Sequence, residues 1–330
     1  MKGYNTGLLD IAFVILNYNV YDETVECVTS IMRCIDTDNM YILIVDNLSP
    51  DESGERLREK YKDEPKIEVI INNGNLGYSR GNNTGIDYIR KNKGGAKFIC
   101  CMNNDTLIDQ RNIYALLNKI FCSDSSIAVI GPRIYDRYYL EHAGMGGLMT
   151  INAYRKLAED AKKRQKKPRF IDSRVSWKRR MLENNLIYDI NSLRRKAEKK
   201  LKQKYGFKTN ERKYYYNVKS SEREGDGVSG EYDMILHGCC LFFTPAFFET
   251  LDGFDPATFM YGEEPILLID IINKGLHTFR SDSIHIRHIE DVSVDATFGM
   301  NEKRRFRHEH EMESMQVLIN KMEKYGIGNE

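Results

Sequence analysis

The feature that most constrains this chain is an alternation that runs through its first 131 residues. Short apolar runs at Ile11–Leu16, Tyr41–Val45, Ile67–Ile71, Lys97–Met102 and Ile127–Ile130 are separated by stretches with helical spacing. Those stretches are Thr24–Cys34, the segment from Ser49 to Tyr61, Gly81–Lys91 and Arg111–Phe121. A strand-helix alternation of this kind puts helices on both faces of a sheet, so the spacing predicts an α/β fold with a doubly wound, mostly parallel central sheet. Strand-like text resumes at Met234–Phe243. Helices follow from Pro245 and over Pro265–Lys274, then strands around Thr278 and Ile284, and a last helix from about Lys303 to Tyr325.

At 330 residues with 41% apolar composition the chain can bury a sizeable core. Its 7 cysteines are odd in number and include the neighbours Cys100-Cys101 and Cys239-Cys240, with no C-x-x-C. Neither a disulfide scaffold nor a zinc site is suggested, and the paired cysteines read as core residues in a reducing cytosol. The longest uncharged run, Met234–Phe248, has 15 residues and contains His, Gly and Pro. A bilayer span needs about 20 apolar residues, so the expectation is a cytoplasmic chain with neither signal peptide nor transmembrane helix.

The formal charge of +1 hides an asymmetry. Residues 151–223 hold 24 Lys and Arg against 8 Asp and Glu, leaving 25 against 40 elsewhere. This segment therefore reads as a cationic, mainly helical insertion, and its stripe through Val175, Trp177, Met181 and Leu186 is amphipathic. It divides the chain into 1–150, the insertion 151–230, and 231–330.

Each of the first strands ends in polar, loop-forming residues: Asn17-Tyr-Asn19, Asp46-Asn47, Asn72-Asn-Gly-Asn75 and Asn103-Asn104-Asp105-Thr106. Ligands of open parallel sheets bind at the carboxyl ends of strands. Turn preference alone accounts for any one of these ends, but all four fall on one edge. The run Asn75-Leu-Gly77-Tyr-Ser-Arg-Gly81-Asn-Asn83-Thr-Gly85 enters a helix, where backbone N–H groups can meet an anion. It has neither Rossmann nor Walker spacing. His308-x-His310 reads as part of a solvated helix face.

In this order, together with Gly238-x-x-x-Phe242, Gly253-Phe-Asp255, Tyr261-Gly-Glu-Glu264 and His288-x-Glu290, the motifs resemble those of the family 2 glycosyltransferases. The bacterial rhamnosyltransferase-like enzymes of surface polysaccharide assembly are the most similar group. The resemblance covers about 10–146 and 231–325 and omits the basic insertion. It implies a GT-A fold, a nucleotide-diphosphate sugar as donor, and transfer with inversion. It also implies that Asp46 contacts the nucleotide base, with Asn17, Asn19 and Asn104 nearby, and that Asn75, Gly77, Gly81 and Asn83 border the nucleotide. Asp105 would be the metal-motif carboxylate and His288 a second ligand for Mn2+ or Mg2+. The family motif usually has further carboxylates here, and only Asp105 remains.

Inverting transfer needs a base for the acceptor hydroxyl. Pro265 suits a first helical position, which would put Glu264 at a helix N-terminus as an ionised base, with Glu263 as the alternative base. The acceptor implied is a glycan or polyprenyl-linked glycan. Residues 151–223 would lie on an anionic membrane surface at the inner face, or else form a homodimer contact; no nucleic-acid reader motif is present. Two other readings stay open: a sugar nucleotidyltransferase, and a non-catalytic glycan- or partner-binding protein of the same fold.

Overall fold

The computed structural model describes residues 7–137, 139–142, 144–165, 220–222, 228–289 and 300–328. In chain order its elements are β1 (Leu9–Asn17), α1 (Tyr21–Cys34), β2 (Met40–Asp46), α2 (Ser53–Tyr61), β3 (Ile67–Ile71), α3 (Gly77–Asn92), β4 (Ala96–Asn103), β5 (Thr106–Leu107), α4 (Ile113–Ser123) and β6 (Ile127–Tyr135). They continue with α5 (Ile151–Gln165), β7 (Ser220–Glu222), β8 (Ser229–Tyr232), β9 (Cys240–Phe243), α6 (Pro245–Phe248), α7 (Glu263–Asn273), β10 (His277–His288) and α8 (Met300–Tyr325).

The strands form one sheet in the order β3-β2-β1-β4-β9-β6-β10-β8-β7, with β5 also pairing β10. The pairs β1·β2, β1·β4, β2·β3 and β6·β10 are parallel; β9 runs antiparallel to both β4 and β6. This mixed α/β sheet, parallel over β3-β2-β1-β4 and again over β6-β10 with antiparallel β9 between them, is the doubly wound architecture expected from the alternation.

The apolar runs are continuous rather than alternating because helices cover both faces of the sheet. On one face Ile11, Phe13 and Ile15 of β1 pack with Val28 and Ile31 of α1, Leu57 of α2 and Leu117 of α4. On the other, Ala12 and Val14 meet Ile86 and Ile89 of α3, Phe247 of α6 and Leu267 of α7. Helix α3 lies close to the sheet because it carries glycine at the contact. A Cβ on Gly85 would stand 2.3 Å from Val14. A third cluster joins Ile266 and Ile269 of α7 to Leu318 and Met322 of α8 and to Ile151 and Tyr154. Helix α7 is thus packed on two sides, with Leu267 in one cluster and Ile266 and Ile269 in another, while its Asp270 pairs with Lys321.

The two strands read around Thr278 and Ile284 are one strand, β10, whose register slips between Arg280 and His285. His285 and His288 diverge as their odd spacing requires: His285 lies against Tyr135 and His288 against Asp105. Chain contacts divide the molecule into two units, Met1–Tyr154 with Tyr214–Glu330, and Arg155–Lys213. Helix α5 opens the basic segment, but Trp177, the amphipathic stripe and most of 151–223 lie outside the described residues. Among the described residues no helix is long and apolar enough to cross a membrane.

Candidate active site

Parallel pairing sets Asn17 beside Asp46 and Leu16 beside Asn103, so the polar strand ends stand side by side. The innermost of these side chains bond to each other. Asn17, fully buried, donates to Asp46 Oδ1 at 2.6 Å and to Ser53 Oγ at 3.0 Å. Its carbonyl oxygen accepts from Thr24 and Asn104. Asp46, 1% exposed, also accepts from the Ser49 amide at 2.8 Å and the Ser49 hydroxyl at 2.5 Å. Asn17, Asp46 and Asn104 therefore hold the edge together from inside. At this edge Leu48 and Asn75 are exposed, and Asn19 and Asn72 are half-buried. Asn19 (φ 59°) and Leu48 (φ 56°) sit in the left-handed region, a conformation non-glycine residues hold only where their surroundings impose it.

The glycine-rich run also differs from its expected form. Helix α3 begins at Gly77, not near Gly81, and its first turn is already engaged by the chain. Phe259 O accepts from Tyr78 N at 2.7 Å and would lie 2.1 Å from a Cβ on Gly77, which has φ +75°. Asn83 bonds Phe254 in both directions at 2.8 Å. Gly81 is buried against Leu16 and Asn47. Of the expected nucleotide-facing residues in this run, Asn75 is exposed, whereas Gly77, Gly81 and Asn83 fasten α3 to the sheet and to the 253–259 loop.

The strand ends meet the second half of the chain at the turn His237-Gly238-Cys239. Asn103 N donates to Cys239 O at 2.9 Å, which ties the turn to β4. Asp105 and His288, both nearly buried, approach to 3.1 Å between Oδ1 and Nε2. The His237 ring stands 5.3 Å from that of His288 and 5.8 Å from that of His142. Burial, together with the two neighbouring imidazoles, brings the His237 pKa down to about 4, so it is neutral at pH 7. On the other side of the turn, Tyr78 donates its hydroxyl to Gly238 O at 2.5 Å while the Gly238 amide donates to the Glu264 carboxylate. A Cβ at residue 238 would stand 2.6 Å from Glu264 Oε1. The turn thus lies next to the Asp105–His288 pair through His237 and Cys239 and next to Glu264 through Gly238.

Helix α7 starts at Glu263, after Gly262 at φ 87°, so Pro265 is its third residue and not its first. The helix terminus expected to keep Glu264 ionised is a buried one, and burial raises both glutamates. Desolvation outweighs the N-terminal dipole, which contributes at most about 2 kcal/mol. Burial and the charge of Glu264 push Glu263 up to about 8, against the backbone amides of Glu263 and Tyr261. Burial also raises Glu264, opposed by the amides of Glu264 and Gly238. Glu263 Oε1 is buried without a hydrogen-bond partner among the described residues, as suits a neutral carboxyl.

A pH dependence follows. A carboxyl whose folded pKa lies above its unfolded value binds more protons in the native state between pH 4.5 and about 8. Stability therefore falls as pH rises through that window. Glu263→Gln is expected to be more stable than wild type at pH 8 and equal to it near pH 4.5. Urea midpoints at the two pH values check this; a difference independent of pH contradicts it.

His237 and His142 were not legible as site residues. The first flanks the quoted Gly238 motif, and the second is brought in from 95 positions earlier by pairing alone. His310, read as solvated, packs its ring on Phe259 and Phe306. Glu290 lies outside the described residues.

The sequence matches the profile of Glycosyl transferase family 2 over residues 12–186. A search of curated proteins found no match. Among solved structures, the crystal structure of GalNAc-T7 with UDP, GalNAc and Mn2+ superposes with a TM-score of 0.50 at 14% identity, covering 98% of this chain and 55% of that one. This chain thus spans little more than half of that structure's length, and the likeness is one of fold. The mannosyltransferase PcManGT from Pyrobaculum calidifontis, in complex with GDP-Man and Mn2+, gives 0.48 at 11% identity over 98% of this chain and 73% of that one.

Proposed function

The chain belongs to glycosyltransferase family 2, and from that premise we propose that it moves a sugar from a nucleotide-diphosphate donor to a glycan or polyprenyl-linked glycan, with inversion, in bacterial surface polysaccharide assembly. The rhamnosyltransferase-like group is the part of the family its motifs resemble. The observation that carries the reading is the Gly238 turn. Its three residues lie next to both the Asp105–His288 pair and Glu264, at the polar edge of the sheet.

The donor would lie across that edge, over Asn19, Leu48 and Asn75, on the frame that Asn17, Asp46 and Asn104 brace. Gly77, Gly81 and Asn83 would shape its border by fixing α3. Asp105 and His288 suit a divalent ion such as Mn2+ or Mg2+, because their facing atoms, 3.1 Å apart, have the separation of two adjacent ligands. Such an ion, when bound, offsets the charge of the departing diphosphate.

Glu264 would be the base. It removes the proton from the acceptor hydroxyl as that oxygen bonds to the anomeric carbon and the bond from that carbon to the diphosphate oxygen breaks on the opposite face. A raised pKa strengthens a base that must work near neutral pH. Glu263, protonated below about pH 8, cannot accept a proton there and keeps a second negative charge out of the site. The insertion would bring the enzyme to the inner face of the membrane.

The test is a thermal-shift panel of UDP, dTDP, GDP, CMP and ATP, each with and without Mn2+. A ligand at about 100 times its Kd stabilises the native state by roughly 2.7 kcal/mol. Manganese-dependent stabilisation by one diphosphate is expected. No response to any diphosphate would favour a non-catalytic binding protein, and a response to ATP alone a nucleotidyltransferase.

A further inference from the structure

The turn that carries Gly238 holds a second set of donors. One ligand atom from each of His237, Cys239 and His288 lies within 4.8 Å of the others. His237 and Cys239 are held in this relation locally, since the Cys239 amide donates to His237 Nδ1 at 3.2 Å. The ring's lone pair is therefore already turned toward residue 239. His288 is oriented from behind: when its Nε2–H donates to Asp105 Oδ1 at 3.1 Å, its lone pair is on Nδ1. That carboxylate–histidine relay is how proteins commonly aim an imidazole at a metal ion. Cys239 is 1% exposed and His288 8%, so the donors stand in a largely dry setting, and His142 is a candidate for the fourth position.

We propose that His237, Cys239 and His288 form a binding site for a borderline transition-metal ion of the Zn2+ or Co2+ class, with Asp105 orienting His288. Two imidazoles and a thiolate suit these ions and disfavour Mg2+, which demands oxygen. Metal–ligand bonds of roughly 2.0–2.3 Å require the three atoms to close by about 1 Å. The partly exposed His237 ring can make that movement, giving up one long hydrogen bond. Binding converts the thiol to thiolate, and its proton leaves to solvent. The site shares His288 with the Asp105 pair, so an ion of this class competes there with Mn2+. It stands on its own donors and does not rest on the transferase reading.

The test is a Co2+ titration of the full chain carrying Cys122→Ser, which removes the one cysteine that is exposed. Expected are ligand-field bands together with a near-ultraviolet thiolate-to-cobalt charge-transfer band. Cys239→Ser should abolish the charge-transfer band. His237→Ala should weaken Co2+ binding by at least about tenfold, since even outer-shell losses cost that much. Asp105→Asn should weaken binding yet keep the band. Should Cys239→Ser fail to fold, the His237→Ala affinity decides. Cobalt bound without the thiolate band, a band unchanged by both substitutions, or no cobalt binding overturns the proposal. Nucleotide stabilisation, measured separately, tells that failure from a failure of the transferase reading.

Discussion

Glu264→Gln is expected to lower sugar transfer by about 100- to 10,000-fold, the range in which a positioned general base acts. The substitution preserves volume, and its amide oxygen can still accept the Gly238 N–H that orients the native carboxylate. What it cannot do is take a proton. Diphosphate binding should therefore remain while turnover disappears. The measurement pairs acceptor-dependent diphosphate release with calorimetric binding of the diphosphate chosen by the thermal-shift panel. Loss of binding along with turnover would move Glu264 into the donor pocket, and retained turnover would hand the role of base to another group. The Glu263→Gln variant is the natural comparison, because Glu263 is neutral at pH 7 and its amide mimics that state.

Asp46→Ala is expected to cost about 3–5 kcal/mol of stability, the scale set when a buried charge-assisted network loses one partner. The Asn17 amide, the Ser49 backbone N–H and the Ser49 hydroxyl all give up their acceptor at once. The native carboxylate fits closely in its place, since a Cβ on Gly54 would lie 2.5 Å from it. Asp46→Asn should recover only part of the loss, because an amide offers one acceptor oxygen where two are used and adds a donor among donors. Urea denaturation at constant slope reads both variants. A cost below about 1 kcal/mol for the alanine variant would mean that Asp46 does not brace the edge.

The strands and their helices were legible because burial on both sides writes long apolar runs between polar turns. Ile11–Leu16 and Tyr41–Val45 fall inside β1 and β2. Less legible was anything decided by contacts distant in sequence. Gly77, Gly81 and Asn83 look like a phosphate loop when read locally, and only their contacts with Phe259, with Leu16 and Asn47, and with Phe254 show that they also hold α3 in place. The upward pull on both glutamates was likewise hidden, since a sequence displays the helix dipole but not the desolvation that opposes it. Asp105 and His288 were paired by resemblance, and the structure brings them to 3.1 Å. His237 went unnoticed because its partners come from positions 142 and 288.

Strand β9 has a consequence for biosynthesis. It lies between β4 and β6 and bonds to both, although Cys100 and Cys240 are 140 positions apart. A ribosome adding roughly 5–20 residues per second delivers that shared partner about 7–28 s after β4. Throughout that interval the nascent chain carries bare strand edges, the kind that recruit other chains. The intervening basic segment lengthens the wait at little thermodynamic cost, since closure entropy grows only with the logarithm of loop length. The yield of folded chain is therefore expected to rise when chaperones are co-expressed, as soluble expression would show.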